Sequence, residues 1–352
     1  MSSPTFPPIF DGHNDVLSLQ MKAGSEARKG FTNGYDAHID LPKSRIGGFG
    51  GGFFAIYIPS PGNFDHYYEM MRQPEYDLPL PAPVPQAEAE PIMLAQVEIL
   101  RSLEADGALK VCTTTAEIRE CLNTGLMAAI MHIEGAEGID TDLDMLGKMY
   151  DLGLRSLGPV WSRPTAFGHG VPFRYPSDGE IGEGLTNAGK DLVRECNRLG
   201  IMLDLSHLNA AGVRDVAKIS DAPLVATHSN CYAICPHARN LTGDQLAMIK
   251  DSNGMVGLNF AVAFLRPDGQ MKTDVGLDVM MRHLDHLITH LGEDRVGLGS
   301  DFDGAEIPDD IKDIAGLPNL REAMRQHGIN DVLMEKLCNK NWLDLLDRTW
   351  KD

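Results

Sequence analysis

The sequence predicts an α/β fold, a (β/α)8 barrel of the TIM type, in a single domain that spans residues 1–352. Short apolar runs of strand length alternate with longer segments of helical period, a pattern typical of βαβ units around a parallel sheet. Eight such runs can be counted, which matches a closed barrel, whereas an open doubly wound sheet usually has fewer strands. A length of 352 residues, with 43% hydrophobic and 23% charged residues, fits one large globular domain.

The eight predicted strands cover residues 8–13, 52–58, 127–134, 154–161, 202–207, 224–228, 255–260 and 296–302. The helical segments between and after them cover residues 92–104, 185–199, 212–219, 243–250, 275–291 and 330–350. Two further segments are long and rich in proline or glycine: 59–91, with eight of the 21 prolines, and 162–183. Since both follow a strand, we expect both to rise as long loops from the C-terminal face of the barrel.

Charge and composition exclude several classes of partner. A formal net charge of −19 argues against nucleic acid or an anionic membrane surface, because both need a basic patch. No apolar run approaches the 18 residues that a membrane span requires. The first ten residues have neither a basic region nor a continuous apolar region, and the six scattered cysteines are interpreted as reduced thiols. The cytoplasm is therefore the expected location.

Side chains that can bind metal fall at the C-terminal ends of five predicted strands. They are His13 and Asp15 after strand one, Glu134 after strand three, His207 after strand five, His228 after strand six and Asp301 after strand eight. In a barrel these strand ends meet at one mouth, where catalytic groups of this fold are placed. Any one of these histidines alone is more often an ordinary hydrogen-bonded residue than a ligand. Their shared position is what indicates a site.

Imidazole and carboxylate ligands suit zinc, and one carboxylate can bridge two ions roughly 3.5 to 4 Å apart. A centre with two Zn2+ ions is therefore plausible. The His-x-Asp spacing of His13 and Asp15 directs both side chains to the same face of a strand.

Other motifs are weaker. His283, His286 and His290 have helical spacing and are interpreted as an exposed polar helix face. His132 lies deeper in its strand than Glu134, which suggests a supporting or core position. The glycine run at 47–52 is interpreted as a tight turn, because no Gly-Lys-Ser/Thr follows it. The Gly-x-Ser-x-Gly elbow of many serine hydrolases is missing.

These residues resemble the membrane dipeptidase (renal dipeptidase) family of zinc peptidases, within the amidohydrolase-like barrels. The resemblance extends from the first predicted strand to the last. The matching motifs are DGHND at 11–15, HIDLP at 38–42, HIEG at 132–135, LGLR at 152–155, LDLSH at 203–207 and GSDFDG at 299–304.

The resemblance implies a function and a role for each site residue. His13 and Asp15 would bind one zinc ion, His207 and His228 the other, and Glu134 would bridge both. Asp301 would be the acid/base that acts on water beside the metal-bridging Glu134, and Arg239 would bind the carboxylate of the substrate. The substrates would be small dipeptides, often with a D-residue in the C-terminal position. A homodimer is expected at the family level only.

The resemblance departs from the family at strand four. Many members carry there a histidine that contacts the carbonyl oxygen of the substrate, whereas Trp161 is the aligned residue here. Arg163 and His169, in the following loop, are alternatives for that contact. Trp161 is therefore a predicted substrate-binding residue.

Two other functions stay open at the level of sequence. One is a different amidohydrolase-type enzyme, such as an N-acyl-amino-acid hydrolase, a lactonase or a deaminase. Those enzymes usually have His-x-His on strand one and often a modified lysine as the bridge, and this chain has His-x-Asp and Glu134. The other is a metal- or peptide-binding protein without turnover, against which Asp301 argues.

Overall fold

The structure is a computed structural model that describes residues 6–61 and 65–351; for residues 25–28 and 65 it describes the backbone only. Eleven strands occur in the described residues: β1 Ile9–Asn14, β2 Phe49–Tyr57, β3 Tyr76–Asp77, β4 Leu109–Val111, β5 Met127–Glu134, β6 Leu154–Gly158, β7 Arg174–Tyr175, β8 Met202–Leu203, β9 Val225–Ala226, β10 Met255–Leu258 and β11 Val296–Leu298. Each of the eight predicted strands overlaps one of them.

Fifteen α-helices lie in the same described residues. They are α1 Val16–Ala23, α2 Ser25–Asn33, α3 Leu41–Gly47, α4 Asp65–Met70, α5 Gln86–Ala105, α6 Thr115–Thr124, α7 Asp144–Asp151, α8 Asn187–Leu199, α9 Ala210–Ile219, α10 Gly243–Asp251, α11 Val262–Leu265, α12 Leu277–Leu291, α13 Leu317–Gln326, α14 Asp331–Glu335 and α15 Asn341–Thr349. A π-helical turn, Lys336–Lys340, joins α14 to α15. Among the described residues, no helix combines the length and the apolar character that a bilayer crossing needs.

The fold is of the α/β class, and its strands form a curled sheet in which the main pairings are parallel. One sheet has the order β1-β2-β5-β6-β8, with β4 paired to β5, and a second has the order β11-β10-β9. Isolated parallel bridges link the two sheets on both sides, Asp204 with Val225 and Asn14 with Phe302. The carboxyl ends of all these strands therefore point the same way.

Several predicted strands end earlier than expected. The predicted strand 154–161 ends at Gly158, because Pro159 follows and has no N–H to offer the sheet. The predicted strands 202–207 and 224–228 each keep two residues, β8 and β9. Beyond them, Asp204 Oδ1 accepts hydrogen bonds from the backbone N–H groups of Ser206, at 3.0 Å, and Thr227, at 2.9 Å. A side chain thus takes the place of the sheet's own hydrogen bonds at this edge.

The two segments predicted as long loops contain regular structure. The described part of 59–91 includes α4, β3 and the first turns of α5, with Pro91 inside that helix; residues 62–64 lie outside the described residues. Strand β3 pairs antiparallel with β7 from the segment 162–183, with Tyr76 opposite Tyr175. The two segments are therefore joined to each other above the strand ends.

The interior of the curled sheet is filled from its amino-terminal side. A cluster of buried side chains includes residues from six strands and from the C-terminal helix: Phe10, Phe53, Ile130, Met202, Val225, Met255 and Trp342. Trp342 is fully buried, and its indole Nε1–H donates to Leu298 O at 3.0 Å. Because this end is plugged by apolar side chains, the polar groups of the strands are left to gather at the opposite end.

Candidate active site

A cavity of about 500 Å³ opens at the carboxyl ends of the strands. One wall is a single face of α1, and another comes from α4 and the residue after it. Its lining includes Asp15, Ser18, Leu19, Lys22, Tyr57, Tyr67, Tyr68, Met71, Glu134, Trp161, Phe173, His207, Phe264, Asp301 and Gly304. The cavity is large enough for a ligand of a few residues and combines aromatic walls with a floor of carboxylates.

Glu134 lies at the centre of the predicted ligands. Its Oε1 is 3.0 Å from His207 Nε2, 3.5 Å from His228 Nε2 and 3.6 Å from His13 Nε2. Asp15 follows the end of β1 and precedes the first turn of α1, and its Oδ2 is 3.4 Å from His13 Nε2. All five side chains are buried. The predicted ligands thus come together from four different strands.

The donor atoms fall into overlapping groups. His13, Asp15 and Glu134 offer three atoms within 4.8 Å of one another, and so do Glu134, His207 and His228. Glu134 belongs to both groups, as a bridging carboxylate requires. A third group, which the sequence did not predict, consists of His13, His228 and Asp204.

Hydroxyl groups behind two histidines orient their rings. Thr227 Oγ1 is 2.6 Å from Asp204 Oδ2, to which it donates, and 2.8 Å from His228 Nδ1. Its oxygen is then left to accept the Nδ1–H of His228. Ser162 Oγ is likewise 3.0 Å from His207 Nδ1. A proton on Nδ1 of each ring leaves the lone pair of Nε2 directed towards Glu134, the arrangement that metal-binding histidines need.

The residues fit a metal ion by their unsatisfied atoms as well as by their types. Neither ring nitrogen of the buried His13 has a hydrogen-bond partner. The Nε2 atoms of His207 and His228 face each other at 3.2 Å. Burial, with further contributions from Arg239 and His13, lowers the pKa of both these imidazoles well below the ordinary value. Neutral, buried imidazole nitrogens at this spacing are suited to share a metal cation.

The carboxylates of the site repel one another. Burial raises the pKa of Glu134 well above its ordinary value, and the charges of Asp15 and Asp301 raise it further. The pKa of Asp301 is raised by burial and by Asp15. A divalent cation among these groups would remove the cost of keeping several negative charges together.

Asp301 stands at the edge of the cavity just beyond β11. Its backbone has φ +63°, a left-handed conformation that non-glycine residues rarely adopt. Its amide donates to His13 O at 3.1 Å, which ties it to the end of β1. Its carboxylate Oδ2 accepts a hydrogen bond from Asn259 Nδ2 at 3.0 Å. The predicted acid/base residue is therefore close to the predicted metal ligands.

Arg239 lies behind the cluster and is 2% exposed. It donates through Nη1 to Ser206 O and through Nη2 to His228 O at 3.3 Å. Burial lowers its pKa to about 10. Arg239 is not among the residues that line the cavity, whereas the exposed Lys22 is. Arg239 thus lies next to the predicted ligands, whereas the cationic side chain in the wall of the cavity is that of Lys22.

Trp161, the predicted substrate-binding residue, lines the cavity. Its ring centroid is 5.3 Å from that of Tyr57 and 5.9 Å from that of His207. Neither alternative residue for this position lines the cavity. Arg163 is fully buried, with Nε 2.6 Å from Glu137 Oε1, and His169 Nδ1 is 3.3 Å from Gly184 O.

The histidines of α12 are only partly as predicted. His286 and His290 are half-buried and stack with centroids 4.0 Å apart, but His283 is fully buried, so the expected exposed face is wrong for this residue. His132 is buried and bonds Ser156 Oγ through Nδ1 at 2.8 Å, in agreement with a supporting position.

Sequence reasoning missed three polar residues of the site. Asn259 lies within an apolar run, inside the predicted strand 255–260, and follows directly after the observed strand β10. A lone polar residue within such a run is the signal that could have found it. Asp204 and Thr227 precede the ligands His207 and His228 by three residues and one residue. Their importance depends on contacts between strands, for which the sequence offers no local signal.

Comparisons with known proteins agree on one family. A family model described as membrane dipeptidase (peptidase family M19) matches residues 5–351. A crystal structure of a metallo peptidase from Rhodobacter sphaeroides, liganded with a phosphinate mimic of the dipeptide L-Ala-D-Ala, is 56% identical in sequence. It covers 98% of this chain and 100% of its own, with a TM-score of 0.97.

Two further relatives extend the comparison. The crystal structure of dipeptidase AC, described as a metallo peptidase, is 56% identical, covers 98% of this chain and 99% of its own, and has a TM-score of 0.96. An uncharacterized protein in the pqqA 5' region of Klebsiella pneumoniae is 44% identical over 262 residues, which are 74% of this chain and 97% of that protein.

Proposed function

Because the chain belongs to the membrane dipeptidase family, peptidase family M19, we propose that it is a metal-dependent dipeptidase. It hydrolyses the peptide bond of small dipeptides, including those of the form L-Xaa-D-Xaa. The observation that best supports this function is Glu134, which belongs to two groups of ligand-type side chains beneath a cavity of dipeptide size. The similarity to a peptidase that binds a mimic of L-Ala-D-Ala supports the stereochemistry.

The metal in this proposal is zinc, with two ions per chain. His13 and Asp15 would hold one ion, His207 and His228 would hold the other, and Glu134 would be a ligand of both; the set of imidazoles and carboxylates suits zinc. When bound, zinc supplies a Lewis acid and lowers the pKa of a water molecule. Ser162 and Thr227 keep the two histidine rings in the orientation that this binding needs.

Asp301 is the proposed acid/base. Its carboxylate accepts a proton from the attacking water and delivers that proton to the nitrogen of the leaving amine, while the peptide C–N bond breaks and a C–O bond forms. Such proton transfer is worth about 10² to 10⁴ in rate. The place of Asp301 in the lining of the cavity, close to Glu134, supports this role.

Arg239 and Trp161 are the proposed substrate-binding residues. Arg239 attracts the carboxylate of the dipeptide through its positive charge, which lies buried behind the ligand cluster and beside the cavity. Trp161 forms an aromatic wall beside His207 and restricts the side chains that the substrate can bring.

The finer points of architecture belong to the same proposal. We infer that the strands close into a complete (β/α)8 barrel, which the isolated bridges Asp204–Val225 and Asn14–Phe302 support. The single domain over residues 1–352, the homodimer and the cytoplasmic location remain predictions.

The test is hydrolysis of L,L and L,D dipeptides by zinc-loaded protein, with metal content measured on the same sample. We expect turnover of L-Ala-D-Ala that a chelator abolishes and zinc restores. Asp301→Asn should reduce kcat by about 100-fold or more with full metal content. Asp285→Asn, a change at an exposed carboxylate, is the control and should leave kcat unchanged.

Other outcomes have definite meanings. Two bound zinc ions without dipeptide turnover would refute the dipeptidase and favour another amide-type substrate. Unchanged activity in Asp301→Asn would remove this residue from the mechanism.

A further inference from the structure

The carboxylate of Asp301 is fixed through one of its two oxygens. Asn259, at the end of the run that forms β10, donates from Nδ2 to Asp301 Oδ2 at 3.0 Å. Asn259 is fully buried, and Asp301 is half-buried at the edge of the cavity, beside the other acidic groups of the site. A hydrogen bond in such surroundings is strong and directional.

The side-chain amide of Asn259 has only one workable orientation. Its Oδ1 accepts the backbone N–H of Ala261 at 2.6 Å, and its Nδ2 also donates to His228 O at 3.3 Å. Turning the amide over would bring an NH2 group against the N–H of Ala261 and an oxygen against two acceptors. The donor that faces Asp301 is therefore set by the backbone around it.

The backbone of Asn259 is held as firmly as its side chain. Asn230, which is fully buried at the end of the neighbouring strand, accepts the Asn259 N–H through Oδ1 at 3.0 Å. It also donates from Nδ2 to Asn259 O at 3.0 Å. This reciprocal pair ties the polar ends of two strands together, so a shift of Asn259 would break several hydrogen bonds at once.

The second carboxylate oxygen of Asp301, Oδ1, is open to the cavity. A Cβ atom built on Gly304 would lie 2.7 Å from Asp301 Oδ1 and 2.1 Å from Asp15 Oδ2. The glycine thus leaves room directly beside Oδ1 and the predicted ligand Asp15. All three residues line the cavity.

We propose that Asn259 is a positioning residue for the reaction: it holds Asp301 by Oδ2 so that Oδ1 carries the proton between the attacking water and the leaving nitrogen. This inference rests on the proposed function of Asp301. The effect of Asn259 on the reaction passes through Asp301, and Asn259 is not expected to touch the substrate. Loss of its amide lets the carboxylate rotate away from its productive position, and misplacement by about 1 Å can cost about 100-fold in rate.

The experiment compares Asn259→Ala and Asn259→Leu, each in wild-type and in Asp301→Asn background, with zinc-loaded protein and L-Ala-D-Ala as substrate. The kcat is expressed per site titrated with a phosphinate mimic of that dipeptide, so that unfolded molecules are not counted. Asn341→Ala is the matched control, since Asn341 is equally buried and also donates two hydrogen bonds, to Glu293 O and Val296 O.

We expect both Asn259 variants to lower kcat by about 10-fold to 100-fold, with KM within about 3-fold and zinc content unchanged. In the Asp301→Asn background the same changes should alter kcat by less than about 2-fold, because their effect passes through Asp301. The control should leave kcat unchanged in both backgrounds.

Two results would overturn the inference. Either kcat stays near the wild-type value in both variants, or it falls by the same factor with and without the Asp301 carboxylate. If Asp301→Asn alone left kcat intact, the proposed role of Asp301 would fail instead, which separates the two failures.

Discussion

At the scale of single residues, the protons on the histidine rings decide whether the cluster can bind a cation. Thr227 Oγ1 accepts a hydrogen bond from Nδ1–H of His228 and donates its own hydroxyl hydrogen bond to Asp204 Oδ2. This series of hydrogen bonds leaves the lone pair of His228 Nε2 facing Glu134 Oε1, at a distance of 3.5 Å. Without the hydroxyl, the ring can rotate or place its proton on the nitrogen that should bind metal.

Thr227→Val keeps the shape of the side chain and removes the hydroxyl. We expect zinc affinity to fall by about 10-fold to 100-fold, as is usual when a supporting hydrogen bond to a ligand is lost. The measurement is competition for zinc against a chromophoric chelator. Thr349→Val is the control, because Thr349 is also buried and its hydroxyl bonds only the backbone oxygen of Leu345 among its described partners. Equal affinity in the two variants would show that the hydroxyl does not orient His228.

Trp161 allows a second prediction at this scale. Its ring packs beside Tyr57 and His207 and forms part of the cavity wall. Trp161→Ala removes apolar surface that substrate and transition state contact equally, so KM should rise about 10-fold with kcat within about 3-fold. The KM of Trp161→Phe should lie between that of the wild type and that of Trp161→Ala. Steady-state kinetics with L-Ala-D-Ala measure both constants, and a fall in kcat at constant KM would instead assign Trp161 a role in the chemical step.

The site residues found from sequence and those missed differ in a physical way. His13, Glu134, His207 and His228 could be predicted because strand ends meet at one mouth in any parallel barrel. Asp204 could not, because its value depends on the hydroxyl of Thr227, which belongs to the next strand. Position along one strand is visible in a sequence, whereas a partner on another strand is not.

At the scale of elements, a neutral histidine attaches α12 to α11 and to the segment that follows β9. His283 donates from Nε2 to Leu265 O at 3.0 Å and accepts the Cys231 N–H at Nδ1 at 3.2 Å. A proton on Nδ1 would face that N–H. Burial lowers the pKa of His283 to about 4, with smaller contributions from Arg282 and His286.

The sign of the pH effect follows from this lowered pKa. Between pH 6.5 and 4 the unfolded chain binds a proton at His283 that the folded chain does not. The stabilisation of the fold by neutral His283 is therefore fully present above pH 6.5. It is lost as the pH falls towards 4, and the free energy of unfolding then decreases by about 3 kcal/mol in total. In His283→Gln the free energy of unfolding, measured by urea denaturation, should fall less steeply over this range. His327→Gln, at an exposed histidine, should behave as wild type, and parallel curves for His283→Gln and wild type would contradict the prediction.

Helices and strands could be predicted where the signal lies within their own consecutive residues. The cores of all eight strands and the helices α8, α9, α10 and α12 follow from apolar periodicity, and capping residues such as Asn209 set the helix starts. The pair β3 and β7 was not predicted, because each strand has two residues and exists only through the other. Strands β8 and β9 are shorter than predicted, because beyond them hydrogen bonds to the Asp204 side chain replace the backbone hydrogen bonds between strands.

At the scale of the whole molecule, the charge of the site adds to that of the chain. The protein has a net charge of −19, and three carboxylates, Asp15, Glu134 and Asp301, lie close together at the floor of the cavity. The charges of Asp15 and Asp301 raise the pKa of Glu134, and the charge of Asp15 raises that of Asp301. Because Asp15 and Asp301 come from opposite ends of the sequence, a cation between them would also join its first and last strands.

Binding of zinc should therefore stabilise the entire fold. At a free zinc concentration about 100-fold above Kd, each site contributes about 2.7 kcal/mol, which for a chain of this size raises the Tm by about 3 °C or more. Glu134→Gln keeps the size of the side chain but removes the charge that both groups of ligands share, so its Tm should respond little to zinc. Differential scanning calorimetry of both proteins, with zinc and with a chelator, makes the comparison. An equal rise in Tm in the two proteins would mean that the ions bind away from Glu134, and no rise in the wild type would mean that the buried cluster does not bind zinc at all.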